Sequence, residues 1–151
     1  MGEEHRAGYD RSLARTEIPA HYLAMLAELP ETIYALAISE PWCGDCRNNL
    51  PVLAKMADSS QGKLLLRCLG RDANPGLLDS YPAPDGSTRI PTFIFFAADW
   101  ALKGYFVERP VPVTQVLTSG SADEKRAMRI EYNAGVYAHA VVADLLDIIK
   151  S

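Results

Sequence analysis

Apolar and polar positions along the chain change their period several times, and each change marks an expected element. From Pro19 the residues Tyr22, Leu23, Met25, Leu26 and Leu29 recur at roughly helical spacing between Pro19 and Pro30, which predicts a helix over about 19–29. Thr32-Ile33-Tyr34-Ala35-Leu36-Ala37-Ile38-Ser39 is β-branched, aromatic and almost wholly apolar, the pattern of a central strand covered on both faces (32–39). Leu50, Val52, Leu53 and Met56 restore a helical period from about Cys43, with Pro51 inside the helix. Lys63 to Leu69 reads as a second buried strand.

Strand, helix and strand in this order predict a right-handed crossover with the two strands parallel. Beyond it, Asn74-Pro75 signals a short helix through Leu77 and Leu78, and a turn-rich stretch leads to Ile90-Pro91-Thr92. Phe93-Ile94-Phe95-Phe96 then belongs to a third strand (92–97). Residues 101–107 form a fourth, antiparallel to it because the connection is short. Ser121-Ala122-Asp123-Glu124 matches a capping box, and Asn133-Ala134-Gly135 offers a stop, so two helices are expected at about 122–133 and 137–149, or one continuous kinked helix. Residues 1 to about 15 are polar with scattered Tyr9 and Leu13, and fit a frayed arm or a short helix packed on the body. The fold class is therefore α/β: one domain over 1–151, a central mixed sheet of about four strands, and helices on both faces. Its core covers about 31–120, between an N-terminal helical arm and a C-terminal helical extension over about 121–150.

Length and composition set few limits beyond this. With 151 residues, 48% of them hydrophobic, there is enough chain for one sizeable core. Lys plus Arg number 15 against 19 Asp plus Glu, with no basic cluster or aromatic-basic stripe, so nucleic acid is not an expected partner. The first residues are charged and no apolar run follows them, so neither export nor a membrane span is expected; a cytoplasmic protein fits.

The three cysteines change the picture most. Cys43 and Cys46 stand three apart in Trp42-Cys43-Gly44-Asp45-Cys46, where an apolar strand meets a helix. Residues three apart share a helix face, so the two sulfurs can bond or separate with little backbone movement. If Cys43 is the first helical residue, unpaired backbone N–H groups and the positive end of the helix dipole favour its thiolate. A structural zinc site would need a second pair of ligands. Cys68 lies in mid-strand and His5, His21 and His139 are scattered without ligand spacing. Cys68 is read as a core thiol, Trp42 as an exposed or half-buried neighbour of the site, and Trp100 as a turn aromatic.

Trp42-Cys43-Gly44-Asp45-Cys46 resembles the thioredoxin motif, and Ile90-Pro91-Thr92 ahead of a strand resembles that family's cis-proline segment. In particular the chain is similar to small bacterial thioredoxin-like proteins with a Trp-Cys-Gly-Asp-Cys-Arg site, through Asn48-Asn49-Leu50-Pro51-Val52 as well. The resemblance implies a thiol–disulfide oxidoreductase acting on protein disulfides. Its catalytic residues would be Cys43 and Cys46, and its substrate contacts Trp42, Gly44, Asp45, Ile90 and Pro91, with Pro91 in cis facing the cysteine pair. No cofactor beyond the cysteine pair is expected, since no Gly-x-Gly-x-x-Gly follows a strand; recycling calls for an external donor of the thioredoxin-reductase type.

Three departures stand against the family pattern. Asp45 replaces a proline and puts a negative charge near Cys43, Ala37 stands where a buried aspartate usually assists the resolving thiol, and Val107-Glu108-Arg109-Pro110 replaces a glycine after the fourth strand. Asp45 or Glu40 could assist through water, or both could be plain surface carboxylates. These departures keep a second function open, a binding or adaptor module on the same scaffold without turnover.

Overall fold

A computed structural model describes residues 2–151. The elements in chain order are α1 (Glu3–Arg15), α2 (Ala20–Ala27), β1 (Ile33–Ser39), α3 (Gly44–Ser59), β2 (Leu64–Gly70), a 3₁₀ turn (Leu77–Ser80), β3 (Thr92–Phe96), β4 (Leu102–Val107), α4 (Val111–Ser119), α5 (Ala122–Asn133) and α6 (Ala138–Ile149). The four strands form one mixed sheet in the order β2-β1-β3-β4. β1 runs parallel to β2 and antiparallel to β3, and β3 is antiparallel to β4.

Alternation along the strands divides two clusters. Ile33, Ala35 and Ala37 of β1 and Phe93 and Phe95 of β3 meet Val52, Leu53 and Met56 of α3, Leu26 of α2, and Val142, Leu145 and Leu146 of α6. Side chains one position along, Ile38 and Ile94, point to the other face and pack with Leu78, Ile90 and both active-motif cysteines. α2, α3 and α6 thus lie on one face, while the second face is covered near the motif by the 3₁₀ turn and the loop leading into β3. The first cluster, with Phe93, Phe95, Leu53 and Met56 all fully buried, is the rigid floor on which α3 is set.

The long C-terminal pattern resolves into two helices. Ser121 accepts from the Glu124 N–H while the Glu124 carboxylate accepts from the Ser121 N–H, a complete capping box. α5 ends before Gly135, whose φ of 86° is the left-handed conformation. A Cβ at Gly135 would also approach Arg15 Nε to 2.7 Å, so this turn needs glycine for conformation and for space.

The polar N-terminal stretch takes the form of a helix packed on the body, α1, seated against α3 so closely that a Cβ on Gly8 would overlap the Arg47 side chain. Several other expectations are corrected. β2 is an edge strand rather than one buried on both faces: Leu64 is buried, but Leu65 and Leu69 are 41% and 39% exposed. For the same reason Cys68 is exposed and is not a core thiol. The segment after Asn74 forms only the 3₁₀ turn, and α4 was not expected at all. α4 is Val- and Thr-rich with weak intrinsic helix preference, and its place comes from Val113 packing with Met128 and Tyr132 of α5. Trp100 has φ 68° and stacks on Tyr34 at 4.2 Å, so its aromatic ring has a packing role within the turn.

Candidate active site

β1 carries the chain to Glu40, and a turn closed by the Cys43 N–H donating to the Glu40 carbonyl at 3.2 Å brings it into α3. Cys43 is not the first helical residue. It is the N-cap, with extended φ and ψ of −77° and 120°, and its Sγ accepts the Cys46 N–H at 3.1 Å. An N-cap side chain normally offers an oxygen to the free N–H two or three residues on; here a sulfur takes that place, which ties the sulfur directly to the helix start. Across the site, the Ile90 carbonyl lies 3.6 Å from Cys43 Sγ, and the Ile90–Pro91 peptide is cis. Ile90 and Pro91 are buried.

The two thiols are driven apart in acidity. The hydrogen bond from the Cys46 thiol, followed by those from the Cys46 and Asp45 backbone N–H groups, lowers the Cys43 pKa, with burial and the Asp45 carboxylate acting the other way. Donating that same bond, and its own burial, raise the Cys46 pKa well above the ordinary thiol value. Both are largely covered, Cys43 7% and Cys46 3% exposed, in that order of accessibility. The two shifts run in opposite directions, Cys43 toward the thiolate and Cys46 toward the protonated thiol, an arrangement suited to sequential thiol attack.

Asp45 is not a solvated surface carboxylate. Arg109 Nε and Nη2 donate to its two oxygens at 3.0 and 3.2 Å, and the Tyr132 hydroxyl donates to Oδ1 at 2.9 Å. Arg109 Nη1 also pairs with Glu108 Oε1 at 2.9 Å, and Glu108 Oε2 pairs with Arg89 Nη1 at 2.9 Å. Asn49, 1% exposed, donates to both the Tyr132 hydroxyl and the Glu108 carbonyl at 2.8 Å. Two of the departures from the thioredoxin pattern, Asp45 and the 108–109 segment, are therefore halves of one ion-pair network. Burial and the Asp45 carboxylate push the Tyr132 pKa above the ordinary phenol value, so Tyr132 acts as a fixed donor.

The structure brings Cys43, Cys46 and Ile90 into one buried cluster, with Pro91 next to Ile90 across the cis bond. Trp42 is 52% exposed with Arg71 Cζ 5.1 Å from its ring centroid, and Gly44 is exposed. Glu40 is tied by the Asp72 N–H, which donates to its Oε1 at 2.8 Å. Sequence reasoning missed Asn49 as a site residue, and missed Arg109 and Tyr132 as partners of Asp45. A basic residue after β4 was the only local signal, because Tyr132 lies 87 residues from Asp45 and no spacing rule connects them. Among the described residues no three His, Cys, Asp or Glu side chains gather as metal ligands.

This arrangement of strands, cysteine pair and cis-proline is that of a thioredoxin-like protein. Residues 1–126 match the thioredoxin family, and the chain belongs to it. Thioredoxin 1 of Nostoc sp. is 36% identical over 56 residues, 37% of this chain and 49% of the relative. The chloroplastic M-type thioredoxin of Spinacia oleracea is 36% identical over 56 residues, 29% of its length. The chain spans about half or less of the length of these relatives. A crystal structure of a Pseudomonas aeruginosa protein of unknown function superposes with a TM-score of 0.81 over 99% of this chain and 86% of that one. At 21% identity that likeness concerns the fold alone. Among the described residues no helix is long and apolar enough to cross a membrane.

Proposed function

We propose that the protein is a thiol–disulfide oxidoreductase that reduces or exchanges protein disulfides through Cys43 and Cys46. The observation that carries this reading is the N-cap sulfur of Cys43, lowered in pKa by the Cys46 thiol and N–H and set against the Ile90 carbonyl. Cys43 thiolate attacks one sulfur of a substrate disulfide, and the second substrate sulfur leaves as a thiolate. Cys46, once deprotonated, attacks Cys43 Sγ in the mixed disulfide, the Cys43–substrate bond breaks, and reduced substrate departs while Cys43–Cys46 becomes a disulfide. Two electrons pass from the protein dithiol to the substrate. Trp42, Gly44, Asp45, Ile90 and Pro91 are the proposed substrate contacts. Re-reduction falls to an external donor of the thioredoxin-reductase type, and a reducing, cytoplasmic setting suits a dithiol of this kind.

The burial of both sulfurs favours one second reading, a binding or adaptor module without turnover. Reduction of insulin by dithiothreitol separates the two. The oxidoreductase accelerates it, Cys43→Ser abolishes the acceleration, and Cys46→Ser accumulates a thiol-reversible adduct on Cys43 with an oxidised protein substrate. Identical behaviour of Cys46→Ser and Cys43→Ser would sink the oxidoreductase reading in favour of the binding module.

A further inference from the structure

Resolution of the mixed disulfide requires Cys46 to lose its proton inside the protein. Cys46 is 3% exposed, and its environment holds that proton strongly. Ala37, the strand residue at the position where a carboxylate would assist, is fully buried and offers no acceptor. Asp45 has both oxygens engaged by Arg109 and Tyr132. Glu40 is anchored through Oε1 to the Asp72 N–H.

His5 stands with Glu40 on the other side of the thiol. A cavity of about 220 Å³ lies behind Cys46, walled by Ser39, Glu40, Arg47 and Leu50 and, from α1, by His5 and Tyr9. His5 Nδ1 is buried and has no protein hydrogen-bond partner; among the described residues no other buried side-chain nitrogen or oxygen is in that condition. Buried polar atoms are almost always satisfied, so an unpartnered nitrogen on a residue that shares a cavity wall with a carboxylate, a guanidinium, a phenol and a thiol needs an explanation. The space is large enough for bridging water, and these polar side chains line it. α1 is held firmly: Arg15 Nη1 donates to the Asn133 carbonyl at 2.8 Å, and Gly8 lies against Arg47.

We propose that His5, acting across this cavity through water, accepts the thiol proton of Cys46 as the mixed disulfide is resolved. This rests on the oxidoreductase reading above. The His5 imidazole takes the proton, the Cys46 thiolate attacks Cys43 Sγ, and the Cys43–substrate bond breaks. The substrate leaves as a thiolate that takes a proton from solvent, and the imidazolium returns its own to solvent. Electrons move only between sulfurs, and the proton count closes. His5 is a positioning residue for the proton and touches neither substrate nor Cys43. The other titratable or charged groups on that cavity are Glu40 at the end of β1, Arg47 on α3 and Tyr9 on α1.

The test times the two half-reactions separately in the full chain with an oxidised peptide disulfide. Formation of the Cys43 adduct is followed in the Cys46→Ser background with and without His5→Gln, and release of the second peptide thiol in the wild type, His5→Gln, His5→Ala and Glu40→Gln. General-base assistance has a typical worth of about 10²-fold or more, so His5→Gln is expected to slow resolution by at least about tenfold while adduct formation changes by less than about twofold. Added imidazole should restore resolution in His5→Ala and leave the wild type unchanged, a response that a purely structural role of His5 would not give. Resolution by His5→Gln at the wild-type rate overturns the relay, as does a loss confined to Glu40→Gln. Failure of Cys46→Ser to form any adduct overturns the oxidoreductase reading itself, and the relay with it.

Discussion

The two flanks of the α3 N-terminus are built on opposite terms. On the flank of Asp45 every polar group is paired: the carboxylate is held in a fork by Arg109, capped by Tyr132, and backed by Asn49, Glu108 and Arg89. On the flank of Cys46 a raised-pKa thiol faces a cavity walled also by His5, whose Nδ1 has no protein partner. A saturated network resists rearrangement, because breaking any one bond strands another charged or buried group. An unsaturated cavity does the reverse and leaves room for a proton to move. The same turn of helix therefore fixes the surroundings of Cys43 on one side and keeps those of Cys46 adjustable on the other.

Removing Arg109 should break the paired flank most. Arg109→Ala leaves a carboxylate that is only 21% exposed without its bidentate partner, with a loss of about 3 kcal/mol or more in unfolding free energy expected for a stranded charged group. It also leaves the Asp45 charge uncompensated beside Cys43, and that charge already opposes the thiolate. The midpoint of the pH–rate profile for Cys43 alkylation should accordingly move up. Urea unfolding and iodoacetamide kinetics check the two halves, and an unchanged midpoint would show that the network does not reach the nucleophile.

Tyr132→Phe should do less on the same flank, because Arg109 still holds Asp45 and Asn49 still donates to the Glu108 carbonyl. Loss of one hydrogen bond to a charged acceptor is expected to cost about 1.5–3 kcal/mol at most, and toward the lower end here because the fork remains. Since Tyr132 comes from α5, the double variant with Arg109→Ala measures their coupling through Asp45. A strictly additive result would place the two residues in separate interactions rather than one network.

What could be read from the sequence follows the range of the interactions. Apolar runs and helical patterns place α2, β1, α3, β2, β3, α5 and α6 because each pattern is written within a single element; β4 follows from its short connection to β3, and the Ser121–Glu124 box and Gly135 fix the ends of α5 through bonds only a few residues long. The cysteine pair was legible for the same reason. α4 was not, since its helix is imposed by Val113 packing on α5 rather than by its own residues. The exposure of Cys68 depends on β2 being the last strand of the sheet, a fact of topology with no local signature. Asp45 looked like a surface acid because its partners stand 64 and 87 residues away, and His5 looked like a stray histidine because nothing in a polar N-terminal stretch tells which face of α1 meets Cys46.

The smallest effect expected is a pH dependence in which the two cysteines oppose each other. In the reduced protein the folded-state pKa of Cys43 lies below its ordinary value, so native protein binds fewer protons than unfolded chain between those two points. Its contribution to stability is full above the ordinary thiol value of about 8.5 and fades as pH falls through the lowered folded value. Cys46 has the opposite shift. Its contribution is full below about 8.5 and is lost as pH rises toward its raised folded value, because there the native state holds a proton that the unfolded chain has released. Measured against a Cys43→Ser/Cys46→Ser double variant under reducing conditions, urea stability should rise with pH, peak near the ordinary thiol value and decline beyond it. Cys46→Ser alone should erase the declining limb and keep the rising one, because a serine hydroxyl can still donate to the Cys43 thiolate. A difference curve that only falls with pH would mean that burial outweighs the hydrogen bonds at Cys43, and that Cys43 rests as a thiol rather than as the stabilised nucleophile.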